Sequence, residues 1–208
     1  MVKTNIEKVK LPESFYLNTD VVHLAKSLIG KYLFTFIDGV TTGGYIVETE
    51  AYNGVIDRAS HSYGNRITPR TKTMFMQGGI AYVYLCYGIH EMFNVVTSGE
   101  GQPHAILIRA IQPTEGVDEM LFRRSMDKLK PNITQGPGSV ARALGISRAI
   151  NAISLQSDTL WIEDRGLTFT DEQIAAMPRV GVDYAGEDAL LPYRFYVKGN
   201  PYVSKPNK

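Results

Sequence analysis

The chain has 208 residues and carries 22 Lys and Arg against 21 Asp and Glu, a net charge of +1, so its overall balance neither announces nor excludes a polyanionic partner. Its length suits one domain, and its single cysteine, Cys86, excludes an intrachain disulfide and reads as a buried thiol in a reducing cytoplasm. The first residues lack the apolar core of a signal peptide, and no uninterrupted run of ~18 apolar residues offers a membrane span, so a cytoplasmic protein without a membrane partner is expected.

Along the chain, Asp20 is placed to cap a helix over residues 21–29, whose Val21, Leu24 and Leu28 share one face, and Gly30 supplies the stop. Residues 31–37 alternate and are rich in β-branched and aromatic types, Asp38-Gly39 signals a hairpin, and residues 43–51 form the returning strand. Glu48 and Glu50 then project from one face of that strand. Thr68-Pro69 opens a short helix reaching residue 76 and stopped by Gln77-Gly78-Gly79. Residues 80–87, 92–98 and 105–111 read as an antiparallel meander turning at Gly88. A helix over residues 115–126 carries a basic outer face of Arg123, Arg124 and the following Lys128, and Gly136-Pro137-Gly138-Ser139 opens another that runs to Leu144 and stops at Gly145. Two late strands are expected at 160–163 and 194–198, with mobile tails at both ends. The pattern is a mixed α/β (α+β) fold, one domain over residues 1–208.

The chemistry concentrates between residues 44 and 94. Glu48 and Glu50 stand side by side, whereas the paired carboxylates of glycosidases flank the bond they break, so one working carboxylate is expected; the bland alternative is a solvated strand edge. His61 lies in a loop of small polar residues, where a ring can stack on or hydrogen-bond a ligand, or can simply be a surface histidine. Tyr82 and Tyr84 share a strand face, a pattern more common in sheet cores than in binding platforms, while Tyr87 beside Gly88 is less easily explained by packing and suits entry into a base stack. Residues 58–75 hold four basic and no acidic side chains, Arg66, Arg70 and Lys72 among them, and Lys198 lies in a second basic run near the C-terminus. The Gly136 to Ser139 turn could offer backbone N–H groups to a phosphate, although many helices begin this way.

Several chemistries lack their motif. His-x-Glu with Pro-Cys-x-x-Cys is absent, His90-Glu91 lacks the second histidine of His-Glu-x-x-His, and Gly-x-Ser-x-Gly does not occur, so neither a metal nor a cofactor is expected.

Over nearly its whole length the sequence resembles the alkyladenine (3-methyladenine) DNA glycosylase family, the type without a helix-hairpin-helix. The resemblance is carried by Leu24-Ala-Lys-Ser-Leu-Ile-Gly30, Val47-Glu-Thr-Glu-Ala-Tyr52, His61-Ser62, Thr68-Pro69-Arg70, Met74-Phe75-Met76, Tyr82-Val-Tyr84 to Tyr87-Gly88, Asn94, Leu107-Ile-Arg109-Ala110, Gly136-Pro137 and Arg194-Phe-Tyr-Val-Lys-Gly-Asn-Pro201. It implies one compact α/β domain with a curved antiparallel sheet and a reaction on double-stranded DNA containing damaged purines. The water-activating base would be Glu50, with Arg109 and the backbone near Val182 positioning the water. Tyr52, His61 and Tyr84 would line the base pocket, Asn94 would crowd the amino group of guanine, and Tyr87 would fill the gap left by a flipped nucleotide. Arg66, Arg70, Lys72, Gly136, Ser139 and Lys198 are then the candidate DNA-backbone contacts. Glu48 receives no role. A monomeric enzyme that hydrolyses the glycosidic bond without cutting the strand is expected, since no lysine is placed to form a Schiff base. A non-catalytic nucleic-acid module would have no need of Glu50 and Arg109, and a hydrolase of free nucleosides would have no use for Tyr87.

Overall fold

The computed structural model describes residues 9–204. Among them the strands are β1 (Val9–Lys10), β2 (Tyr32–Ile37), β3 (Val40–Tyr52), β4 (Ala81–Cys86), β5 (His90–Thr97), β6 (His104–Glu115), β7 (Leu160–Asp164), β8 (Ile174–Met177) and β9 (Arg194–Val197). The helices are α1 (Glu13–Tyr16), α2 (Val21–Ser27), α3 (Val117–Arg124) and α4 (Pro137–Leu144). Local chemistry explains several boundaries. Asp20 accepts a 2.9 Å bond from the His23 N–H at the start of α2. Asp38 and Gly39 both take positive φ, 56° and 77°, as the tight turn between β2 and β3 requires.

The strands form one curled antiparallel sheet in the order β1-β7-β2-β3-β6-β5-β4, with β9 on β3 and β8 on β9. Strand β3 is the spine: one edge pairs with β6 over its length, and the other pairs first with β2 and then, at Glu48–Glu50, with β9. Directly paired residues share a face, so the pairings sort the sheet into rows. Ala51, Ile106, Val95 and Ala81 form one row, buried in the main core with Leu24 and Ala25 of α2 and Val140 and Leu144 of α4. The neighbouring row, Glu50, Leu107, Asn94 and Tyr82, turns to the opposite face.

The ladder between β3 and β6 is irregular where it matters most. Ile46 pairs with Ile111, Glu48 with Ala110 and Thr49 with Ile108, so Val47 on β3 and Arg109 on β6 have no partner in the register. Such an irregularity re-aims side chains.

Most expected elements form within a few residues of their expected ends. Strand β6 runs on to Glu115 instead of stopping at residue 111, because Gly44 on β3 lets the backbone of Gln112 and Pro113 lie against it. Helix α3 therefore starts late, after Gly116 at φ 67°. The helix expected from Thr68 is a series of turns ending in a 3-10 segment, Lys72–Phe75: the Thr71 hydroxyl bonds the Thr68 N–H and the Arg66 carbonyl in place of a helical ladder. The basic outer face of α3 is also corrected. Arg123 is turned inward onto the carbonyls of Ile37 and Ala143, Arg124 caps those of Asn132 and Ile133, and the exposed residues of α3 are Asp118 and Phe122; of the three basic residues only Lys128, beyond the helix, is exposed. Cys86 is half-buried, not fully buried. Strands β1 and β8 and helix α1 are too short to announce themselves in the sequence. The tails expected to be mobile lie outside the described residues. Among those described, no helix is long and apolar enough to cross a membrane.

A side chain at Gly44 would place its Cβ 2.1 Å from the Gln112 carbonyl oxygen, a backbone atom that cannot swing away. Gly44→Ala should therefore destabilise the protein by ~1–3 kcal/mol or more through forced overpacking. Urea denaturation measures this, and a loss below ~0.5 kcal/mol would show that the β3–β6 contact yields freely.

Candidate active site

Leu107, Asn94 and Tyr82 of the row that begins at Glu50 form the back of a cavity of about 870 Å³, within the size range of small-ligand sites. Tyr52, His61, Tyr84 and Met92 form its walls, Arg109 and Ser204 contribute to its lining, and Val180 to Val182 with Tyr184 approach from the segment before β9.

Glu50 is wholly buried and lies immediately behind this lining, in contact with three groups that do face the cavity. The Val180 N–H donates to its Oε1 at 2.7 Å, the Tyr52 hydroxyl donates to its Oε2 at 2.9 Å, and Arg109 Nη1 lies 3.2 Å from the same oxygen. Oε1 therefore retains a free lone pair. Burial and the neighbouring carboxylate of Glu50 hold the Tyr52 hydroxyl well above the usual tyrosine range, so it stays protonated and stays a donor. The main-chain group that reaches Glu50 belongs to Val180, two residues before the Val182 that the resemblance pointed to; Val182 contributes a buried side chain to the wall.

Glu48 is not at a solvated strand edge. It is also wholly buried, and its carboxylate accepts from Arg109 Nε at 3.0 Å, Arg194 Nε at 2.7 Å, and the Ser204 N–H and hydroxyl at 2.6 and 2.8 Å. Two carboxylates and two guanidiniums thus balance in the interior, where an unpaired charge would be very costly. Burial alone would lower the Arg109 pKa, but Glu50 and Glu48 outweigh it and fix the guanidinium in its charged form.

A second buried pair lies beside the site. Arg179 meets Asp57 through both nitrogens, at 2.5 and 2.8 Å, and donates to the Ala51 carbonyl, while its guanidinium lies 4.9 Å from the Tyr52 ring centre. Asp57 also accepts from the N–H groups of Asn53 and Ala59. The loop that carries His61 is thereby tied to the segment that delivers Val180. Sequence reasoning passed over Asp57, Arg179, Arg194 and Ser204, because their partners lie far away in the chain. Tyr82 and Leu107, which the motifs include without a site role, also reach the site.

His61 packs edge-on against Tyr84 with ring centres 4.7 Å apart, and its Nδ1 lies 3.0 Å from the Tyr82 hydroxyl. Arg70 rests over the Tyr84 ring at 4.4 Å with Nη2 3.4 Å from His61 Nε2. An arginine can only donate, so the neutral imidazole accepts at Nε2 and carries its proton on Nδ1. Burial first, and then the charge of Arg70, lowers the His61 pKa to about 4. Burial raises Tyr82 to about 12 and Tyr84 further, so the aromatic wall is uncharged at neutral pH. Asn94 is held by bonds from Nδ2 to the carbonyls of Tyr82 and Met92.

Tyr87 stands at the cavity mouth, 91 % exposed, with φ 50° in the β4–β5 turn and Ile89 beside it at 72 %. Gly136 and Ser139 at the start of α4 line the same mouth. Of the other expected DNA-backbone residues, Arg70 lines the cavity, Arg66 and Lys72 are exposed on the loop leading to it, and Lys198 lies outside the lining, bonded to the Glu172 carbonyl. Among the described residues no three His, Cys, Asp or Glu come together as a metal site would require.

The family model for methylpurine-DNA glycosylase matches residues 14–201. A protein of Chlamydia felis named "Putative 3-methyladenine DNA glycosylase" is 50% identical over 186 residues, covering 89% of this chain and 94% of the relative. One of the same name from Bacillus cereus strain G9842 is 47% identical over 208 residues, covering 95% of this chain and all of the relative.

The His61 ring titrates near pH 4 in the folded protein and near 6.5 when unfolded. Between those values the unfolded chain binds more protons, so stability falls as pH is lowered through this window. Wild type should lose up to ~3 kcal/mol more than His61→Gln between pH 7 and pH 4, at 1.36 kcal/mol per pKa unit. Denaturant titrations across that range decide the point, and parallel curves for the two proteins would contradict it.

Proposed function

The chain belongs to the methylpurine-DNA glycosylase family, and on that premise we propose that it flips an alkylated or deaminated purine out of duplex DNA and hydrolyses the N-glycosidic bond with a water activated by Glu50. The observation that carries this reading is the state of Glu50: a carboxylate held rigid by Tyr52, Arg109 and the Val180 N–H, buried behind the cavity lining, with one lone pair left on Oε1.

A base in a helix cannot be reached without extrusion, which costs a few kcal/mol and costs least for a damaged or poorly paired base. Tyr87, exposed at the cavity mouth, offsets part of that loss by entering the vacated stack. A purine alkylated at N3 or N7 carries positive charge, and the ring faces of Tyr52, His61 and Tyr84 that Arg179 and Arg70 leave uncovered attract a desolvated cation by up to ~2 kcal/mol. That His61 stays neutral supports this reading, because a charged imidazole would repel such a base. The cationic base is already a good leaving group, so the protein must supply only a nucleophile and negative charge near an oxocarbenium-like transition state. Glu50 does both: its Oε1 accepts the proton of the attacking water, and its charge faces the developing sugar cation. Deaminated or etheno purines, such as hypoxanthine and ethenoadenine, enter the same pocket without the charge attraction.

No lysine is among the residues lining the cavity, which supports hydrolysis to an abasic site without Schiff-base strand cleavage. In this reading the enzyme acts as a monomer, and the basic loop around Arg66, Arg70 and Lys72 faces the DNA backbone. The chemistry needs water alone, so neither metal nor cofactor takes part.

Glu50→Gln preserves shape but cannot take the water's proton, so single-turnover excision from a lesion duplex should fall by ~10²–10⁴-fold while duplex binding persists. Near-normal excision would sink the assignment of the base.

Tyr87→Ala separates a wedge from a packing residue. With the ring this exposed, stability should stay within ~0.5 kcal/mol of wild type, while excision from duplex DNA drops at least tenfold. Unchanged duplex excision would remove the wedge role.

A further inference from the structure

Glu48 is a buried carboxylate, two residues from Glu50, that the proposed reaction leaves without a role. Oε1 accepts from Arg109 Nε, Arg194 Nε and the Ser204 hydroxyl, and Oε2 accepts from the Ser204 N–H. Both carboxylates are fully buried, but Glu48 accepts four hydrogen bonds, three of them on one oxygen, which makes it the more fully engaged of the two. What it does is visible in Arg109. That guanidinium spends Nε on Glu48 and Nη2 on the Ser204 hydroxyl, at 3.2 Å, and aims Nη1 at Glu50. Arg109 is also the β6 residue that the register shift leaves unpaired, so backbone pairing does not set its direction. Arg194 completes the arrangement from β9 by donating Nη2 to the Ser204 carbonyl at 2.9 Å, which holds Ser204 against Glu48.

We infer that Glu48, clamped by Arg194 and Ser204, is a positioning residue that fixes the direction and the charge balance of Arg109 and through it the basicity of Glu50. The inference rests on the reading of Glu50 as the base. Arg109 is shared between two carboxylates; each holds it back from the other. Remove the charge of Glu48 and the guanidinium closes on Glu50 as its only anionic partner, while the site gains one net positive charge. Both changes stabilise ionised Glu50 and make it a weaker base. The segment after β9 therefore belongs to the reaction site through Ser204, although it lies at the far end of the chain from β3.

The test is the pH profile of single-turnover excision from a duplex carrying 7-methylguanine, measured for wild type, Glu48→Gln, Ser204→Ala and Glu50→Gln, with lesion-duplex binding measured alongside. Glu48→Gln should lower the plateau rate at least tenfold and move the acid limb down by ~1 pH unit, with the dissociation constant unchanged within a factor of ~2. Loss of packing alone would not move the acid limb. Glu48→Gln leaves two buried arginines with one carboxylate and risks failing to fold, so Ser204→Ala, which keeps every charge, provides the second reading: its plateau should fall several-fold with the limb in place. If Glu48→Gln folds and keeps the wild-type rate and limb, the positioning role is overturned; if it does not fold, an unchanged plateau in Ser204→Ala overturns it. Inactive Glu50→Gln beside either of those results means that only the positioning role has failed. Active Glu50→Gln means that the base assignment has failed and the positioning role with it.

Discussion

Two carboxylates and two guanidiniums sit out of water where β3 meets β6 and β9, and the geometry of the sheet serves to keep any one of them from standing alone. Glu48 and Glu50 come from the same face of β3, Arg109 from an unpaired position on β6, and Arg194 from β9. Each charge alone would cost several kcal/mol to bury, and their balance is what permits a carboxylate to remain ionised in an apolar setting. The three strands are thus held together by electrostatics at the point where the ladder hydrogen bonds are disrupted. A regular ladder would give Arg109 a register partner and a different direction.

Around this charged centre the rest of the site is kept neutral. Burial leaves the histidine deprotonated and the tyrosines protonated, so the aromatic wall presents ring faces and hydroxyl dipoles without formal charge. Glu50 brings negative charge to a wall that is otherwise uncharged on its aromatic side, while the Arg109 guanidinium beside it balances part of that charge. Two arginines do lie on the aromatic rings: Arg179 beside Tyr52, with its centre 4.9 Å from the ring, and Arg70 on Tyr84. The Arg70 guanidinium lies on the Tyr84 ring at the edge of the pocket, occupying with its own positive charge a face that a cationic base would use in the proposed reaction.

The walls stay in place because the loops are braced by buried charge as well. The Asp57–Arg179 pair joins two segments 122 residues apart, one leading to His61 and the other delivering the Val180 N–H to Glu50. Rigid loops of this kind hold a site in the geometry it needs before the substrate arrives. At the mouth the opposite design applies: Tyr87 and Ile89 are held out in water by a turn with positive φ at both Tyr87 and Gly88, a placement that packing does not explain.

Much of the fold could be read from local signals. Asp20, Gly30, Asp38-Gly39, Pro137 and Gly145 act through bonds and dihedrals within a few residues of themselves, so the helices and hairpins they bound were legible. The alternation of β4 and β3 likewise placed Tyr82 with Tyr84 and Glu48 with Glu50 on common faces, and the ordered motifs pointed to the family to which the chain belongs. Other features were decided only in three dimensions. Short β1 and β8 exist because a neighbouring strand pairs with them, and Lys198, basic in sequence, is engaged by the Glu172 carbonyl outside the cavity. Whether Glu48 is a solvated edge or a saturated buried anion depends on Arg194 and Ser204, which lie 146 and 156 residues further along the chain. Sequence spacing fixes which groups share a local face, because strand and helix periods are properties of the backbone; it is silent on which distant charges meet, because that depends on strand order and on a break in register that only the assembled sheet contains.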